Sequence, residues 1–404
     1  CVWAALGLDT ARTLTIAPVM DRVGFKAIDF TTSTHMGVAV RYKREDPWER
    51  IRLMAAATPH TPLQFMSTGF RFISWETASP EFMALAFRTL ARNGIRRFCL
   101  ADPMNDADSN IACASMVKQG GGGYVIVALV FTISPIHDYA YYAERARTLA
   151  ACQDVDALYI KDPGGLLSPK RAATLIPAIR RQIGDKPLEL HSHCTIGLAE
   201  HAYLDAPDLG VSALQCASGA AADGISNPPS GRIVANLRAL GHRVDIDTEA
   251  LAEVASYFTR LAEAEGLPAG SPQGFDAGYQ HHQLPGGMVG TMRRHLSESR
   301  IPHLESAVIE DWLVARGKQA FTGLPARLSE GATAQVIALK RHPAVREVLG
   351  DFVGWKPPRD DDKLPRSRAR LLHLWGDEPR LQRIVTASAV LPARAVTETR
   401  KHTR

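Results

Sequence analysis

Between residues 10 and 245, short apolar runs alternate with amphipathic helical ones, and few folds accommodate that alternation. The strand candidates are FKAIDF (25–30), PLQFMS (62–67), RRFCLA (96–101), YVIVALVF (124–131), ALYIKD (157–162), PLELHSH (187–193) and ALQCAS (213–218). Helical runs such as PEFMALAFRTLARNG, HDYAYYAERARTLAAC and SPKRAATLIPAIRRQIG separate them. The last is well punctuated, with Ser168 as N-cap, Pro169 at the first helical position and Gly184 just past the end. Strands joined by helical crossovers pair in parallel. The predicted fold class is therefore α/β, a (β/α)8 TIM barrel followed by a mostly helical C-terminal subdomain. Seven strands are visible, and a helix around residues 10–23 precedes the first of them, so the first barrel strand is expected to lie ahead of Cys1. An open doubly wound sheet is the alternative that the same alternation allows.

The expected domains are a barrel over 1–245, a helical subdomain over 246–350 and a basic, flexible extension over 351–404. The extension opens with the Pro- and charge-rich KPPRDDDKLPRSRAR, a composition that resists packing. It also explains the net charge of +5: residues 356–404 hold 12 Lys/Arg against 6 Asp/Glu, so the remainder is close to neutral. A basic tail of this kind argues against a nucleic-acid partner. No apolar run is long enough for a transmembrane helix. Six scattered cysteines (Cys1, Cys99, Cys113, Cys152, Cys194, Cys216) suit a reduced cytoplasmic enzyme. The GGGG run at 120–123 follows a helix and precedes a strand, the reverse of a phosphate-cradling loop, so it reads as a helix stop.

Residues i and i+2 of a strand share a face, so His191 and His193 project together with Glu189 one pleat below. They end their strand at its carboxyl side, where barrel active sites are built. Two imidazoles on one face suit a divalent metal such as Zn, Mn or Co, although a structural or hydrogen-bonded pair gives the same pattern. On the preceding strand, Lys161 stands where the apolar run ends. A desolvated lysine is neutral more of the time and can react with carbon dioxide to form a carbamate. The competing reading pairs Lys161 with Asp162 or Asp102. Cys194 lacks the base and oxyanion site that a thiolate nucleophile needs. His281 and His282 diverge as neighbours and read as junction residues.

The stretches EDPWER (45–50), ADPMND (101–106), FTISPIHDYAYY (131–142), YIKDPGGLLSP (159–169), ELHSHCTIGLA (189–199) and HQLPGGM (282–288) occur in an ordered series. Together they resemble the carboxyltransferase domain shared by pyruvate carboxylase, transcarboxylase and the oxaloacetate decarboxylase α-subunit. More distantly, the resemblance reaches 3-hydroxy-3-methylglutaryl-CoA lyase and isopropylmalate synthase. It implies a divalent metal held by His191, His193, a carbamylated Lys161 and an Asp; Asp102 is a weaker candidate ligand or catalytic group. The family Asp precedes a stretch that CVWA (1–4) resembles, which would put it ahead of Cys1, so this chain is expected to bind metal weakly or not at all and to be inactive alone. The resemblance also implies a small 2-oxo acid substrate, of the oxaloacetate or pyruvate type, and biotin as carboxyl carrier. No Met-Lys-Met biotinylation motif occurs, so biotin is expected on a separate carrier or carboxylase subunit, with the chain itself a homo-oligomer.

Several positions depart from the family pattern. Ile225 occupies the place of the proton-relay threonine and has no hydroxyl. Thr68 stands for the arginine that holds the substrate carboxylate, Trp75 for a tyrosine, and TTSTHMG (31–37) loses an acidic group at Gly37. Arg71, three residues on, is the nearest replacement for the lost guanidinium. The expected function is a metal-dependent carboxyltransferase or decarboxylase. The alternatives are a biotin-independent lyase or aldolase with the same metal logic, and a non-catalytic assembly subunit.

Overall fold

The computed structural model describes residues 8–72, 77–298 and 300–309. Seven strands form one sheet: β1 (Ile28–Thr32), β2 (Leu63–Ser67), β3 (Ile95–Leu100), β4 (Tyr124–Val130), β5 (Ala157–Asp162), β6 (Leu188–Ser192) and β7 (Ala213–Leu214). All neighbours are parallel, and the spatial order is the sequence order. A doubly wound sheet reverses its order at a switch point. This one does not, and the curled parallel sheet with its helical layer is the barrel-type α/β fold that the alternation predicts.

Both faces of the sheet are covered, as a parallel sheet requires. Outward residues such as Phe65, Phe98, Val127, Leu158 and Leu190 join the main core with Phe87, Leu90, Leu175 and Ile176 from the helices. The inward set is separate: Cys99, Ala101, Ile126, Ala128, Ala157 and Tyr159 form the interior cluster. Beside that cluster lies a buried polar group. Arg97 donates 2.6 Å hydrogen bonds to Gln64 Oε1 and to Glu189 Oε1, and its guanidinium stands 4.6 Å from the centre of the Tyr124 ring.

Pairing, more than composition, sets the strand boundaries. β1 starts at Ile28, whose N–H donates to the Pro62 carbonyl at 3.0 Å, and it runs on into the first two threonines of TTSTHMG, Thr31 and Thr32. β7 keeps only Ala213 and Leu214 of ALQCAS, because β6 is its one partner among the described residues. The GGGG run lies between the helix ending at Gln119 and β4, as a helix stop should.

The helix Pro169–Arg180 has the expected cap: the Ser168 side chain accepts from the Arg171 N–H at 3.3 Å, and Gly184 takes φ +56° beyond its end. Replacing Ser168 with alanine is expected to lower stability by about 1 kcal/mol, with Ser168→Asp close to wild type, by urea denaturation. The mostly helical C-terminal region begins with Thr248–Glu265, followed by Tyr279–His282 and Gly286–Glu298. Ala250, Leu251 and Val254 of the first of these pack with Ile16 and Val23 in and beside the helix Thr10–Arg22. No helix among the described residues is long and apolar enough to cross a membrane. The rest of the expected helical subdomain and the basic extension lie outside the described residues.

Candidate metal centre

His191 and His193 do share a face. Their Nε2 atoms stand 3.0 Å apart, and the two residues are only 5% and 6% exposed. Two nitrogen ligands at ordinary metal distances, on tetrahedral or octahedral edges, are about 2.9–3.4 Å apart. The far side of each ring completes the picture. His191 Nδ1 lies 2.9 Å from Gln215 Oε1, an atom that can only accept, and a ring proton on Nδ1 would satisfy that contact and leave the Nε2 lone pair free. His193 Nδ1 is buried with no partner at ordinary hydrogen-bond geometry among the described residues, and the Ile225 carbonyl is the backbone group beside it.

Without a metal only one of the facing Nε2 atoms can donate to the other, which leaves the second ring poorly satisfied. A cation between them lets both Nε2 atoms act as lone-pair donors and both Nδ1–H groups point at carbonyl oxygens. The donor set therefore fits a divalent metal. Burial, followed by the neighbouring His193 and Lys161 charges, holds His191 well below the ordinary histidine value. Burial and then Lys161 bring His193 down to about 3. Both rings are neutral at pH 7, as ligands must be.

Lys161 pairs in register with His191 on the neighbouring strand. Its Nζ reaches Met66 Sδ at 2.7 Å rather than a carboxylate. Burial lowers the amine below the usual lysine value, against the opposing pull of Cys99 and Asp29. The pairing with Asp162 does not occur. The Asp162 side chain is fully buried on the other face, where it accepts from the Leu166 and Leu167 N–H groups and the Ser192 hydroxyl at 2.7–2.9 Å. These bonds fold the DPGG turn that follows β5.

The other expected site residues fall into two places. Ile225 belongs to the centre through its backbone, while its side chain packs beside Leu284 and Val289. A Cβ on Gly286 would meet the Ile225 carbonyl oxygen at 2.3 Å and His193 Nδ1 at 2.5 Å, so this helix-opening glycine cannot carry a side chain without displacing both. Asp102 is buried, and its carboxylate accepts from the Asp106 N–H at 3.0 Å, fixing the turn into the helix Ala107–Gln119. Burial raises its pKa, and Arg71 pulls the other way. Thr68 follows β2 directly and is half-buried; the adjacent Gly69 lies against the Asp102 carboxylate. Thr68, Arg71 and Asp102 thus gather at the ends of β2 and β3, whereas Lys161, His191 and His193 gather at β5 and β6. Trp75 lies outside the described residues.

Cys194, Glu200 and Asp223 also bring ligand atoms within 4.8 Å of one another. Arg232 already joins both carboxylates: its Nε donates to Glu200 at 2.7 Å and its Nη2 to Asp223 at 2.6 Å. The cluster is an ion-pair clamp, and burial pushes the Cys194 thiol far above the thiolate range, which argues against a nucleophile. His282 is buried as a junction residue, its Nδ1 accepting from the Leu284 N–H at 3.1 Å.

The paired imidazoles thus lie at the carboxyl end of β6, the side of a barrel-type sheet on which active sites are built. The chain is 32% identical over 295 residues to a pyruvate carboxylase subunit of Methanocaldococcus jannaschii, an alignment covering 73% of this chain and 52% of that protein. It is 28% identical over 379 residues to the 2-oxoglutarate carboxylase large subunit of Hydrogenobacter thermophilus, covering 92% and 57%. Among solved structures, the carboxyl transferase domain of Rhizobium etli pyruvate carboxylase with 3-bromopyruvate superposes at a TM-score of 0.76. That match has 21% identity and covers 98% of this chain and 67% of the other, a likeness of fold. No family model matches the chain. The relatives that this chain matches are thus carboxylase and carboxyltransferase subunits. The chain spans between 52% and 57% of the length of the Methanocaldococcus jannaschii and Hydrogenobacter thermophilus relatives.

Two contacts lie beyond what the sequence predicts. Gln215 falls within a predicted strand with no role of its own, although a lone amide in an otherwise small and apolar run, ALQCAS, is an available signal. Met66 carries no signal, since an inward methionine looks like ordinary core.

Proposed function

We propose that the protein is a biotin-dependent carboxyltransferase that moves a carboxyl group to or from a small 2-oxo acid. The observation that carries this reading is the facing Nε2 pair of His191 and His193, with a desolvated lysine in register beside it. His191, His193 and a carbamylated Lys161 would hold the divalent metal, which when bound polarises a keto oxygen and stabilises charge developing there. The chain's own groups have separate tasks. Gln215 orients His191, and burial lowers the Lys161 amine below the usual lysine value, which favours the neutral form that carbon dioxide needs. Arg71 supplies the positive charge nearest Asp102 and is the candidate for holding the substrate carboxylate, with Thr68 and Trp75 flanking it in the sequence. Ile225 offers a carbonyl but no proton, so the relay step needs another donor in this chain.

The names of the relatives, two carboxylases with pyruvate or 2-oxoglutarate in the name, favour this reading over a biotin-independent lyase or a non-catalytic subunit. We assign the chain a separate biotin carrier, a homo-oligomeric state and a cytoplasmic location, the last consistent with five unpaired cysteines among the described residues. Oxaloacetate decarboxylation, followed with and without biotin, tests the reading. Biotin-stimulated turnover is expected, and Ile225→Thr is expected to raise it by about 100-fold, within the usual range for a positioned proton donor. Cleavage of a 2-oxo or hydroxy acid at the same rate without biotin would overturn it.

A further inference from the structure

We propose that Gln215 is the positioning residue of the metal centre: its Oε1 holds the proton of His191 on Nδ1 and so aims the Nε2 lone pair at the cation. This inference rests on the reading of His191 and His193 as metal ligands. The contact itself is 2.9 Å between Gln215 Oε1 and His191 Nδ1, across 24 residues of sequence. The glutamine is pinned by its backbone. Its N–H donates to the Leu190 carbonyl at 2.9 Å, and its carbonyl accepts from the Tyr203 hydroxyl at 2.7 Å. Tyr203 is fully buried, and the same hydroxyl accepts from the Ser192 N–H at 2.8 Å. One phenol thus ties the end of β6, which carries both histidines, to the backbone of Gln215.

The amide nitrogen shows what the arrangement is for. Gln215 Nε2 is buried and has no hydrogen-bond partner among the described residues. A buried amide with an orphaned donor is destabilising, and a purely structural site would have no need of one. Its other end hydrogen-bonds to His191, and that bond sets which ring nitrogen stays free. An amide oxygen does this without adding a negative charge, so the ligand set is less anionic than one with a carboxylate at this place.

Selective 15N labelling of histidine, with His191→Gln to identify the His191 signals, reads the ring tautomer in the metal-free chain. Co²⁺ titration followed by its visible spectrum reads affinity and ligand geometry. The expected results are Nδ1–H at His191 in the wild type, a shift of the proton to Nε2 in Gln215→Leu, and a Co²⁺ affinity lower by about 10–100-fold. Gln215→Glu, which keeps an acceptor at the same reach, should retain Nδ1–H and bind Co²⁺ at least as tightly as the wild type. The inference is overturned if Gln215→Leu leaves the tautomer unchanged, or if Glu and Leu variants lose affinity equally. A wild-type chain with Nδ1–H at His191 whose spectrum shows no nitrogen ligation of Co²⁺ would instead remove the metal reading beneath it, and the inference with it.

Discussion

Replacing His193 with alanine is expected to weaken Co²⁺ binding by more than about 100-fold, a larger loss than removal of an outer-shell partner produces. The reason lies in how the two rings meet. With Nε2 atoms 3.0 Å apart, the pair presents two lone pairs to one point, and a single imidazole holds a divalent cation only weakly. The same substitution should cost the fold much less than it costs the metal affinity, because the backbone N–H of residue 193 still donates to the Asp162 carbonyl in alanine. Isothermal titration with Co²⁺ or Zn²⁺, alongside urea denaturation, separates the two effects. Unchanged metal affinity in His193→Ala would show that the imidazole pair is only a buried hydrogen-bonded pair.

Glu189→Leu is the converse case, expected to destabilise the fold by about 3–5 kcal/mol while leaving every proposed metal ligand in place. Glu189 is 3% exposed and lies one pleat below His191, where it accepts from Arg97 at 2.6 Å and pairs with Lys26 at 2.7 Å. Lys26 reaches solvent, but Arg97 is only 4% exposed. Removing the carboxylate leaves the Arg97 guanidinium buried without its ion-pair partner, beside Gln64, the Tyr124 ring and the field of Asp29. A buried charge without its partner is among the largest single-site penalties known in proteins. Arg97→Met combined with Glu189→Leu should recover most of the loss, since a matched apolar pair needs no compensation. Urea midpoints for the two single variants and the double variant check this. A double variant no more stable than Glu189→Leu would mean that the loss comes from packing rather than charge.

The strand–helix alternation is enough to predict the architecture, because parallel pairing follows from helical crossovers and needs no knowledge of side-chain contacts. The period of two is likewise enough to put His191, His193 and Glu189 on one face, since that follows from the pleat alone. Lys161 stands out by its position at the end of an apolar run, but its partner does not. Whether it meets Asp162 depends on which face each residue takes, and consecutive residues of β5 take opposite ones. Asp162 turns outward to cap the following loop, while Lys161 turns inward to Met66.

What remains hidden in the sequence is everything carried between distant segments. Gln215 reaches His191 because β6 and β7 are neighbours in the sheet, and the Ile225 carbonyl meets His193 because Gly286 allows a close backbone approach. The departure at Ile225 changes a side chain, yet the part of that residue beside the metal centre is its carbonyl, which every amino acid has. Local sequence fixes periodicity, and periodicity selects the face a residue occupies. The partner that meets it there, and so the protonation state of its ring, is decided only when the sheet curls and brings remote strand ends together.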